Sequence, residues 1–183
     1  MKKSIERNLA NKTGKVWTAK DCAFLAVFVA LLIAVQTALS ILPGVELVTV
    51  LFVSFSFVFG VKKGMLSATA FSLLRQFVFG FFPTVLILYL FYFNFLTFLF
   101  GSIGRKRNGN QVKLWGIVLI ACLCTTLFTL FDNVLTPLWY GYSAHAMKLY
   151  FYASLPVLIP QVICTAVSVG ILFTPLRKVF EKI

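Results

Sequence analysis

Two charged side chains lie inside long apolar runs. Arg75 sits in Phe71-Ser72-Leu73-Leu74-Arg75-Gln76-Phe77, and Asp132 sits in Leu130-Phe131-Asp132-Asn133-Val134. In hydrocarbon such groups are costly, so they face a bundle interior, a partner or a wet cavity. Two chemistries follow. Arg75 could form a structural ion pair with Asp132 or with Glu46. Alternatively, both could belong to a ligand site with aromatic walls and a few polar contacts. Asn133, Trp139, Tyr140 and Gln161 fall near the same end of their segments and are the further candidates for such a site. Asn94, in Tyr92-Phe93-Asn94-Phe95, suits either an interhelical hydrogen bond or a ligand contact.

Covalent chemistry finds little support. The single histidine is His145, and the chain has no HExxH, no GxSxG, no paired acidic metal motif and no phosphate-cradling glycine loop. The expectation is a protein without catalytic residues, bound metal or cofactor. Cys22, Cys122, Cys124 and Cys164 lack zinc-ligand spacing and read as small residues facing lipid or the bundle.

The elements that must position these groups are membrane helices. Of 183 residues, 60% are hydrophobic and 12% charged, with a mean hydropathy of +0.95. A soluble domain of this size cannot hide that much apolar surface, since ordinary domains are about 25% charged. Six apolar spans are expected: Cys22 to Ile41, Leu47 to Gly60, Met65 to Gly80, Thr84 to Phe100, Leu114 to Leu135 and Leu149 to Phe173. Val61-Lys62-Lys63-Gly64 reads as a tight basic turn, Gly101 to Lys113 and Thr136 to Lys148 as loops, and Thr174-Pro175 as the end of the last span. The second span is short against the roughly 20 residues a bilayer asks for. Residues 1–21 are expected as a tail rather than a cleaved signal, 22–176 as the helical domain and 177–183 as a second tail.

Charge orients the bundle. The N-terminal tail, second loop, fourth loop and C-terminal tail hold six, two, four and three Lys/Arg, fifteen of the seventeen. Lys148 alone lies on the other side and Arg75 within a span. The positive-inside rule therefore places both termini of a multi-pass membrane protein in the cytoplasm. The net charge of +12 sits in short gaps between apolar runs, which argues against a nucleic-acid partner. Ala26, Ala30, Ala34 and Ala38 recur every four residues in the first span. That spacing makes a smooth, slowly drifting stripe, either a packing face within the bundle or a groove for another helix.

This set of features resembles the substrate-binding S component of prokaryotic energy-coupling factor (ECF) transporters. The likeness covers nearly the whole chain: size, six spans, cytoplasmic termini and an alanine-rich first helix. Leu42-Pro43-Gly44-Val45-Glu46-Leu47-Val48-Thr49 is similar to the family's first-loop pattern Pro-Asn-(Ile/Val)-x-x-Val-Thr, with Gly44 in place of Asn. Leu130-Phe131-Asp132-Asn133-Val134-Leu135 resembles the end of the family's fifth helix. Ser154-Leu155-Pro156 with Pro175-Leu176-Arg177-Lys178 resembles its sixth helix and tail. The resemblance implies capture of a vitamin-like small molecule from outside and delivery through a scaffold subunit driven by two ATPases. It makes Ala26, Ala30, Ala34 and Ala38 docking residues. Glu46, Arg75, Asn94, Asp132, Asn133, Trp139, Tyr140 and Gln161 would be the substrate-binding set. A self-contained channel or secondary carrier, or a structural membrane subunit without ligand, is the alternative.

Overall fold

The computed structural model describes residues 18–42, 45, 47–106 and 113–182. Within them the chain forms helices and no strand. In order these are α1 (Ala19–Leu39), α2 (Val48–Phe79), α3 (Pro83–Lys106), α4 (Leu114–Trp139) and α5 (Ala144–Phe180). All five are long and apolar enough to cross a membrane. The chain is therefore an all-helical, multi-pass membrane protein, since helices satisfy their own backbone groups where no water can.

The first helix starts on a signal written in its sequence. Thr18 caps α1: its hydroxyl accepts from the Asp21 backbone N–H at 3.3 Å, and the Asp21 carboxylate accepts from the Thr18 N–H at 3.1 Å. That start falls before Cys22, where the apolar run begins. Asp21 also pairs with Lys63 of α2.

The second helix is folded back on itself. A straight 32-residue helix would be about 48 Å long. Yet the Phe52 and Phe71 rings lie 5.4 Å apart, and a Cβ placed on Gly64 would come within 3.1 Å of the Ser56 Cβ. Gly60 makes the bend, at φ 81° and ψ 177°, a backbone conformation that side chains other than glycine's rarely adopt. Two arms, 48–59 and 61–79, thus run side by side. The turn expected at Val61-Lys62-Lys63-Gly64 is helical, and the break precedes it by one residue.

Three other boundaries differ from expectation. Helix α3 runs through Gly101 to Lys106, and the stretch read as a loop from Thr136 to Lys148 narrows to residues 140–143. Helix α5 passes Pro156, Pro160 and Pro175 and ends at Phe180. In lipid the helix is the only local way to pair backbone groups, so prolines that would end a soluble helix are carried inside this one.

One end of the bundle is tightly packed. Phe28 stacks on Phe55 at 3.9 Å, and Phe180 of α5 meets both at 6.0 and 5.9 Å. Phe52 contacts Phe93 of α3 at 4.7 Å. Gly104 lets α3 lie directly on the backbone of Phe57, and Gly101 lies on that of Val61. This end carries Lys20, Lys63, Arg105 and Arg177, the last with its guanidinium 5.3 Å from the Phe57 ring.

At the opposite end two helices separate. The buried residues of α1 are Leu25, Phe28, Val29 and Leu32, all in its first two thirds. Those of α5 are Thr165, Ser168, Val169, Phe173 and Phe180, all in its second half. Helices α1 and α5 therefore close on each other through Phe28 and Phe180 and part toward Leu39 and Val157.

Candidate functional site

The space left where α1 and α5 part is a cavity of about 370 Å³, lined in part by Gln36, Arg75, Phe79, Val157 and Gln161. A second hollow of about 350 Å³ adjoins it, with Asp132, Tyr150, Ser154 and Thr129 in its wall. Val157 and Gln161 line both, so the two are lobes of one site. Each lobe lies within the range of small-molecule pockets, about 300–1,000 Å³.

Arg75 enters from the second arm of α2. Its Nε donates to the Gln36 carbonyl oxygen at 2.9 Å, and the Gln36 amide nitrogen donates to the Tyr89 hydroxyl at 2.9 Å. The guanidinium carbon lies 4.4 Å from the Tyr89 ring centroid and 4.6 Å from that of Phe79. Cation–π contacts of this kind contribute about 2 kcal/mol when desolvated. Arg75 Nη1 is buried without a hydrogen-bond partner.

Asp132 faces the other lobe from α4. Its two oxygens accept from the Thr136 hydroxyl at 2.7 Å and the Tyr150 hydroxyl at 2.9 Å. Tyr150 continues an aromatic series through Tyr142, 6.1 Å away, to Tyr140, a further 6.2 Å. Between the lobes, the Gln161 carbonyl oxygen accepts from Thr129 at 3.3 Å. Among the described residues no ion pair joins Arg75 to Asp132; each charge rests on neutral neighbours. The other partner expected for a structural pair with Arg75, Glu46, lies outside the described residues.

The expected residues divide. Arg75, Asp132 and Gln161 come together at the two lobes. Asn133 is buried, and its amide nitrogen donates to Ser154 Oγ at 2.7 Å. It lines a separate groove with Lys148 and Tyr152. Asn94 bonds across to Thr69 at 3.3 Å and back to the Leu90 carbonyl at 2.8 Å, which makes it interhelical glue beside an apolar groove. Trp139 and Tyr140 are half-exposed at the end of α4, outside both lobes. Glu46 lies outside the described residues.

Gln36, Phe79, Thr129, Tyr150 and Ser154 line the lobes although they were not among the expected set. Tyr89 reaches the site through Gln36. Gln36 had a signal to offer. It is the one amide in the first apolar run, and an amide in hydrocarbon needs a partner.

The alanine stripe faces away from all of this. Ala26, Ala30, Ala34 and Ala38 are exposed, on the side of α1 opposite Leu25, Phe28 and Leu32. Among the described helices they are not a packing face. Compared with family models, with curated proteins and with solved structures, the chain finds no match.

Proposed function

We propose that the chain is the membrane-embedded, substrate-binding S component of an ECF-type importer. It would span a prokaryotic cell membrane with six helical segments, counting the two arms of α2 separately, and keep both termini in the cytoplasm. It would take a vitamin-like small molecule from outside and pass it to a scaffold subunit driven by two ATPases.

The observation that carries this reading is the division of labour between the two sides of α1. One side sends Gln36 to the cavity, and the other presents a bare alanine stripe. A small-residue face with none of the described helices against it suits docking by another membrane helix, because close backbone approach is the main attraction available in lipid. The cavity also opens at the end away from the basic residues, as a site loaded from outside requires.

A self-contained channel fits less well. Below the cavity the path is filled by Phe28, Phe52, Phe55, Phe71 and Phe93, all buried. Cargo would have to leave by movement of the whole subunit against a partner rather than through its middle.

The test is coexpression with candidate scaffold and ATPase subunits, followed by copurification. Ala30→Leu and Ala34→Leu should each weaken assembly by at least about tenfold, roughly 1.4 kcal/mol. Because both side chains are exposed, bundle stability should stay within about 0.5 kcal/mol. Assembly unchanged by the double substitution would remove the reading.

A further inference from the structure

With the cavity taken as the binding site of the importer proposed above, we infer that its ligand is a zwitterion. A carboxylate or like anion would be held at Arg75, and an amine or like cation at Asp132.

The geometry divides the site by charge. The lobe entered from α1 and α2 holds the guanidinium, and the lobe between α4 and α5 holds the carboxylate. Among the described residues neither charge is met by an opposite one. Arg75 has an amide carbonyl and two ring faces, and one of its Nη groups is buried with no acceptor. Asp132 has two hydroxyl donors. A buried N–H without an acceptor is expensive, and an uncompensated charge in a low-dielectric setting more so. A neutral ligand would leave both charges as they are and take away whatever water screens them. A singly charged ligand would compensate one and strand the other. A zwitterion compensates both, each in its own lobe.

The middle of the site is suited to the uncharged part of such a molecule. Val157 gives an apolar wall where the lobes meet, and Gln161 offers an amide there. Among the described residues the Gln161 oxygen takes one contact, from Thr129. Phe79 and Tyr89 both lie against the Arg75 guanidinium, which holds it in that lobe.

The test uses the full chain in lipid nanodiscs and titration calorimetry. The probes are γ-aminobutyrate, ε-aminocaproate and ω-aminododecanoate, each with its matching carboxylic acid and alkylamine. One member of the amino series should bind at least about tenfold tighter than either monofunctional relative. Arg75→Gln should abolish the advantage over the amine, and Asp132→Asn the advantage over the acid. Should either variant fail to fold, the comparison of probes on the unaltered chain decides alone. Equal binding of bifunctional and monofunctional probes, or no binding of any amino acid in the series, would overturn the inference. So would an acid that binds only after Glu46→Gln, since Arg75 would then be neutralised from within. Copurification with scaffold and ATPases, scored on the same preparation, separates the two ideas. Zwitterion binding without assembly removes the importer and keeps the ligand class; assembly without such binding does the reverse.

Discussion

Among the described residues Arg75 is held by a small network and by no counter-charge, and that makes its neighbours accountable. Gln36 uses both ends of its amide, accepting from Arg75 and donating to Tyr89. Gln36→Leu should cost about 1–3 kcal/mol, because Arg75 Nε–H then keeps its burial and loses its acceptor. Arg75→Leu alone should also destabilise, but the double variant should be less damaging than the sum of the two. A double-mutant cycle on thermal unfolding in detergent should give a coupling of about 0.5–3 kcal/mol; additivity would mean the contact contributes nothing. At this scale the sequence was legible where charge stood against an apolar background, as for Arg75 and Asp132. It was misleading where polarity alone was the guide. Asn133 is adjacent to Asp132, but neighbours on a helix diverge by about 100°, so it bonds Ser154 and lines another groove. Asn94 lines an apolar groove elsewhere, and Trp139 is half-exposed at the end of α4. Gln36 is hidden in a run that reads as an alanine stripe, and the stripe and the amide use different sides of α1.

The helices came through as apolar runs, and their joints did not. Lys62 and Lys63 mark a polar stretch, which looks like a turn, but the bend needs only one residue of positive φ, and Gly60 supplies it. Pro175 reads as a stop and instead sits, like Pro156 and Pro160, within a continuous helix. Close approach between elements was equally invisible, since glycine in a loop-like stretch and glycine at a contact look alike in sequence. Gly104 separates the two cases. A Cβ there would lie 2.1 Å from the Phe57 carbonyl oxygen, a backbone atom that cannot swing aside, whereas Gly170 has nothing within 4 Å. Gly104→Ala should therefore lower stability by about 1–3 kcal/mol or more, as overpacking does. Gly170→Ala should be neutral or slightly stabilising, since alanine is the better helix former by about 1 kcal/mol. Equal thermal shifts for the two variants would mean that α3 does not lie against the first arm of α2 as described. A weakened contact here would also loosen the aromatic floor of the cavity, because Phe52 and Phe93 meet across the same pair of helices.

For the molecule as a whole, packing and charge point the same way along one axis. The close-packed end joins α1, α2 and α5 through phenylalanines and holds Lys20, Lys63, Arg105 and Arg177. The open end holds the cavity and, among the described residues, a single ordinary lysine, Lys148. Basic residues are retained on the cytoplasmic side, so the cavity should face outward. This is testable without knowing the cargo. In a variant with the four cysteines replaced by alanine, Ser143→Cys lies in the short turn between α4 and α5, and Lys178→Cys lies near the end of α5. In intact cells a membrane-impermeant maleimide should label position 143 and spare position 178 until the membrane is permeabilised. The reverse pattern would turn the cavity to the cytoplasm, and capture from outside would fail with it. Labelling of both positions from one side would mean an even number of crossings between them. Since α5 alone lies between those two positions, that outcome would deny that α5 crosses the membrane at all, and the bundle would have to be rebuilt from its last helix.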